Sequence, residues 1–149
     1  MRKNKLLLAA LIAAAIGSSV QAAQKKPTPT YEEVAACYGK ADAMSNPDRL
    51  GACLEKELAF VKAEHQDASE RVAAIAKVKD KAQHVRTRWN HIVQAGQRFD
   101  AFVNRECEFA GMMTKGNRRA EKNGELACRI NYYRMRTNVL ENRFLSEGR

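Results

Sequence analysis

VAAIAKVKDKAQHVRTRWNHIVQAGQRFDAFV, residues 72–103, carries its apolar side chains in steps of three and four. Val72, Ile75, Val78, Ala82, Val85, Trp89, Ile92, Gly96, Phe99 and Val103 form one seam, the spacing that aligns side chains along one face of an α-helix. A strand would alternate every second residue, and no segment of the chain does so convincingly. The stretch therefore reads as a long amphipathic helix. Trp89, Phe99 and Phe102, at helical spacing, are assigned to its core-facing side.

Outward from this seam the chain continues as helix. No proline falls between Pro47 and the C-terminus, so residues 47–109 read either as one very long helix or as two joined near residues 65–69. The upstream end has Ser45 or Asn46 as cap, Pro47 in the first turn, and Leu54, Leu58 and Val61 on one face. Before it, Thr30 caps a helix from Tyr31 to about Ala43, with Glu32 and Glu33 favourably placed in its first turn. A last helix is predicted to start around residues 124–126 and to run through Arg129, Tyr132, Tyr133, Arg136 and Leu140, the last a core position. The fold class is all-α: a small antiparallel helical bundle with one long helix, in a single domain spanning residues 31–149.

The N-terminal residues speak to compartment. Arg2, Lys3 and Lys5 precede the apolar run LLLAALIAAAIG, and Val20-Gln21-Ala22 supplies small residues where a signal peptidase cuts. Residues 1–22 read as a signal peptide cleaved after Ala22. The run is too short for a span of about 20 residues, so the expectation is export to the periplasm or beyond and no membrane-spanning segment. Residues 23–30, AQKKPTPT, form a polar linker that Pro27 and Pro29 keep extended. Cleavage would lower the formal charge from +9 to +6, still basic. Export removes nucleic acid as the natural counter-charge and leaves anionic envelope surfaces and exported proteins.

All four cysteines, Cys37, Cys53, Cys107 and Cys128, lie after the signal segment, where an oxidising compartment favours disulfides. Symmetry about turns selects a pairing. The midpoint of Cys37 and Cys53 falls in MSNPDR, and that of Cys107 and Cys128 in TKGNRRAEKNG, residues 114–124. Residues equidistant from a helical hairpin's turn lie side by side, so each pair can staple one hairpin. Zinc is disfavoured because no CxxC spacing occurs.

No catalytic signature emerges. His84 and His91 stand seven residues apart, about 10 Å along a helix axis, too far to share a metal. Glu106 and Glu108 point to different sides of a helix and lack a partnered base. GxSxG, HExxH and glycine-rich phosphate loops are absent from the sequence. The reading is a non-enzyme without metal or cofactor. Segment 114–124 is the candidate binding loop, with Lys115, Asn117, Arg118 and Arg119 as its exposed polar groups.

The order of these features resembles the lysozyme-inhibitor LprI-like N-terminal domain family over roughly residues 34–145. The match lies in Cys128-x7-Arg136-x3-Leu140 and in QRFDAFVNREC, where Gln97, Phe99, Phe102 and Cys107 occupy matching places. This chain has Phe99, Phe102, Val103 and Asn104 where the family shows Trp, Tyr, Arg and Asp. The resemblance implies a small exported helical protein, in some members an inhibitor of lysozyme. Inhibition would be occlusion, with the cationic loop reaching the two carboxyl groups of lysozyme's cleft. A basic inhibitor and a basic lysozyme repel at long range, which slows their encounter. The alternative is a module that binds the anionic cell-envelope surface, or another envelope protein, without inhibiting lysozyme.

Overall fold

The computed structural model describes residues 27–146. The signal peptide and the first part of the linker lie outside the described residues. Residues 27–30 are extended and lead into α1, Tyr31–Tyr38. Its start is a capping box: the Glu33 N–H donates to the Thr30 hydroxyl, and the Thr30 N–H donates to the Glu33 carboxylate at 2.8 Å. The helix ends at Tyr38, with Gly39 as its C-cap, five residues short of the predicted end near Ala43. The chain must reverse there, because Cys37 bridges Cys53 on the next helix and Ala43 turns inward to pack on that bridge.

Helix α2, Pro47–Ala82, is a single rod of 36 residues, about 54 Å long at 1.5 Å per residue. The Asn46 side chain caps it by accepting from the N–H groups of Asp48 and Arg49. Residues 65–69, the expected joint, are uninterrupted helix. The break comes instead at residues 83–86, inside the apolar seam, and splits it between α2 and α3, Thr87–Met113. Here α2 ends in a Schellman motif: Val85 N–H donates to Asp80 C=O at 3.0 Å and His84 N–H to Lys81 C=O at 3.2 Å. His84 takes the left-handed conformation, φ 53°, that glycine usually fills. No glycine or proline marks the site, which is why periodicity alone runs straight through it.

Helix α4, Arg118–Leu140, starts six residues before the predicted point and continues into a π-helical turn, Glu141–Leu145. Asn117 caps it, so only residues 114–117 form the connection after α3. Successive helices run antiparallel, which leaves α2 and α4 parallel and in extensive contact. The pairings Asn123–Pro47, Arg134–Glu57 and Arg71–Glu141 track that parallel register from one end to the other.

The main core joins Leu54 and Val61 of α2, Val103 and Cys107 of α3, and Leu126, Ile130 and Tyr133 of α4, with Phe99 packed against it. Leu140 is fully buried with Ala68 and Val72 in a second cluster. Disulfides Cys37–Cys53 and Cys107–Cys128 form as the turn symmetry predicts. Two assigned core residues do not belong there. Phe102 is 49% exposed and meets Tyr132 edge-on, because its neighbour Val103 takes the inward direction. Trp89 is half-buried in the first turn of α3, beneath the Lys77 ammonium at 5.5 Å, and joins none of the core clusters. The cause is length. Helix α4 stops before the α2–α3 hairpin does, so Ile75, Val78 and Val85 remain exposed beyond its reach.

Candidate functional site: an apolar groove with a cationic rim

Where α4 gives out, the π-helical turn folds over α2 and packs Leu145 against the Ala68–Val72–Leu140 cluster. The neighbouring Phe144 is left 47% exposed. Between this turn, the end of α2 and the start of α3 lies an open groove of about 460 Å³, within the usual range of small-molecule sites, about 300–1,000 Å³. Its apolar wall is built from Val72, Ile75 and Ala76 of α2, Ile92 and Ala95 of α3, and Val139 and Phe144. Its charged lining residues are Lys79, Arg88, Arg136 and Arg143, joined by His91, and no carboxylate is among them.

These cations are held to different degrees. Arg88 donates to the buried Asp80 carboxylate at 3.1 Å. Arg136 lies with its guanidinium 5.8 Å from the Phe99 ring, its stem reaching toward the groove. Lys79 and Arg143 form no ion pair with other described residues. A groove of this kind can hold an apolar body and an anion together, because long cationic side chains line apolar surface with their stems and present charge at the edge.

The predicted loop residues are dispersed differently from expectation. Segment 114–124 is not one loop, since its residues from Arg118 onward are the first turns of α4. The Asn117 side chain is committed to the N–H groups of Arg119 and Ala120, both at 3.1 Å. Arg119 is tied to Asp48 at 2.6 Å. Lys115 and Arg118 remain as exposed cations without an ion-pair partner among the described residues. Gly116 has φ 135°, a conformation that side chains resist, whereas Gly124 is helical and abuts Thr114. The tip is therefore short and held, with Cys107–Cys128 behind it.

A second polar group lies along the α2–α3–α4 junction. His65 is sandwiched between Phe99, ring centroids 5.4 Å apart, and Tyr133 at 5.2 Å. Burial is the main cause that pushes its pKa below the ordinary imidazole value, with Arg136 adding to the effect and Asp100 opposing it. Ser69 Oγ is 3.4 Å from His65 Nε2, while Asp100, whose charge acts on the ring, accepts instead from the Tyr133 hydroxyl at 3.0 Å. Burial, then the Asp100 charge and hydrogen bond, pushes Tyr133 up to about 12. The arrangement is a packed polar network rather than a serine, base and orienting acid in sequence. Nearby, Glu57 accepts from Tyr38 and pairs with Arg134, each at 2.5 Å, linking α1, α2 and α4. Among the described residues no three His, Cys, Asp or Glu side chains come together as metal ligands. None of the described helices is long and apolar enough to cross a membrane.

No family model, curated protein or solved structure matches this chain. The resemblance to LprI-like domains thus has no support beyond the sequence features themselves: the cysteine framework, the QRFDAFVNREC segment and the Arg136 and Leu140 tail. Of the groove's cations, only Arg136 stood out in the sequence, while Val72, Ile75 and Ile92 were legible as part of the apolar seam. The other cations were hidden because Lys79, Arg88 and Arg143 come from three separate elements, joined only when the π-helical turn crosses α2.

Proposed function

We propose that this protein is an exported, non-catalytic binding module of the cell envelope that takes the apolar part of an anionic amphiphile into its groove. The observation that carries this reading is the pairing of an apolar wall with a lining charged solely by cations. The wall removes hydrocarbon from water, and the cations select against neutral or cationic ligands of equal size. The two disulfides fit an oxidising compartment, where anionic lipids and glycans are the abundant partners. Titration with dodecyl phosphate against uncharged dodecyl maltoside tests it. One saturable site is expected for the phosphate, with at least tenfold weaker binding of the neutral detergent. Combined Arg136→Gln and Arg143→Gln should abolish that preference. Equal affinity for both detergents would sink the proposal.

A second reading keeps the expectation of lysozyme occlusion, now carried by Lys115 and Arg118 on a tip that Asn117 and the Cys107–Cys128 bridge hold in place. Its measure is lysis of cell-wall suspensions by lysozyme with and without the protein. Protection lost on reversing Lys115 and Arg118 to Glu supports it, and undiminished lysis with excess protein removes it.

A further inference from the structure

The last two turns of α3 end on Phe109, Met112 and Met113, three and four residues apart and hence on one side of the helix. They are 56%, 64% and 68% exposed. A single surface methionine is ordinary, but three adjoining large apolar side chains on one face are not, and such patches mark contact surfaces. Immediately beyond them the chain turns through Lys115, and Arg118 opens α4, the two cations of the tip without an ion-pair partner among the described residues. The groove lies toward the other end of the bundle: Ile92 and Met113 are about 30 Å apart along α3 at 1.5 Å per residue.

We propose that this tip docks on the surface of a bilayer containing anionic phospholipid. Phe109, Met112 and Met113 enter the boundary between headgroups and acyl chains, while Lys115 and Arg118 remain at the phosphates. The order of side chains along the tip is that of an interfacial anchor, with apolar groups on one face and cations beside them. Methionine suits the role because its unbranched, flexible side chain adapts to a disordered environment. The backbone beneath is fixed: Thr114 Oγ1 donates to Ala110 C=O at 3.0 Å, Asn117 caps α4, and Cys107 is bridged to Cys128. Docking therefore orders little beyond the side chains themselves. Glu108 lies one turn before Met112 on α3 and Glu121 in the first turn of α4, one acid on either side of the stripe, whereas Glu125 is already paired with Lys122 and Arg129. Charge complementarity selects the anionic lipid surface over a neutral one, by about fivefold for each cation.

The test is co-sedimentation of the processed protein, beginning at residue 23 with both disulfides formed, with phosphatidylcholine vesicles prepared with and without phosphatidylglycerol. Sedimentation is expected only with phosphatidylglycerol, and high salt should weaken it. Combined Met112→Ser and Met113→Ser should reduce binding at least tenfold, and so should combined Lys115→Glu and Arg118→Glu. Both variants should keep the parent's circular dichroism and melting temperature, because the changes are exposed. Combined Arg136→Gln and Arg143→Gln should sediment like the parent, separating this surface from the groove. The proposal is overturned if phosphatidylglycerol vesicles leave the parent in solution, if both tip variants bind as the parent does, or if only the groove variant loses binding.

Discussion

The carboxylate of Asp80 accepts a hydrogen bond of 2.9 Å from the backbone N–H of Trp89, nine residues later and on the next helix. It also accepts from the Arg88 N–H at 3.2 Å and from the Arg88 guanidinium. Helix α3 has no cap of its own, since Arg86 precedes it without a side-chain bond. One buried acid near the end of α2 therefore supplies the acceptor that the start of α3 lacks, and closes the hairpin that forms one side of the groove.

Removing that charge should change how stability depends on acid. Burial acts to raise the Asp80 pKa, but the Trp89 N–H, the Arg88 side chain and the Arg88 N–H together outweigh it and hold the group below its ordinary 3.8. A depressed folded-state pKa contributes stability that is complete above 3.8 and is lost as pH falls through the lower folded value. Asp80→Asn should therefore be less stable than the parent near neutral pH, with the gap narrowing as pH falls below that range. Denaturation midpoints across the pH series measure it, and a gap constant with pH would contradict the assignment.

His84→Gly should stabilise the protein by roughly 1 kcal/mol, because glycine adopts the left-handed conformation at this Schellman position without the steric cost a Cβ adds. The melting temperature should rise by a few degrees. A fall would mean that the imidazole makes a contribution larger than its backbone strain.

Gly51 lets α2 and α4 approach. A Cβ there would stand 2.7 Å from Asn123 Oδ1, a buried acceptor without a partner, while Asn123 Nδ2 donates to Pro47 C=O at 2.9 Å. Gly51→Ala gains about 1 kcal/mol of helix propensity but should lose more, roughly 1–3 kcal/mol, to overpacking. In an Asn123→Ala background the same change should become neutral or stabilising. A double-mutant cycle by thermal unfolding reads the coupling, and additive effects would show that the contact does not limit packing.

Replacing Cys107 and Cys128 together by Ser should cost about 3 kcal/mol from the entropy of the released loop. The tip and the α3–α4 pairing should loosen first, seen as faster amide exchange at residues 107–128. Protection equal to the parent's would show that packing alone holds this hairpin.

Trp89→Ala should cost about 1–2 kcal/mol, less than the roughly 3–5 kcal/mol of a fully buried aromatic, because the ring is only half covered. Iodide quenching should reach it readily in the parent. Strong protection from iodide would return Trp89 to the core.

Much of the architecture lies in local chemistry. Helix type follows from the steps of three and four, helix starts from Thr30 and Asn46 with Pro47, and cysteine pairing from the symmetry of the two hairpins about their turns. Periodicity states which residues share a face, but it does not state how far along that face a neighbour extends. That extent was decided in three dimensions. Because α4 is shorter than α2, the same stripe that buries Val61 and Val103 leaves Val78 and Val85 in water. The break at residues 83–86 was likewise illegible, since the acid that caps α3 belongs to α2 and His84 stands where glycine would have signalled a stop. By polarity alone, Arg118, Arg119 and Lys122 predict a long loop at the tip, yet Asn117 caps a helix there and the Asp48 carboxylate from α2 neutralises Arg119. The groove depends most on tertiary structure: its cations lie far apart in sequence, and only the packing of Leu145 on Ala68 and Val72 brings the π-helical turn across α2 to gather them.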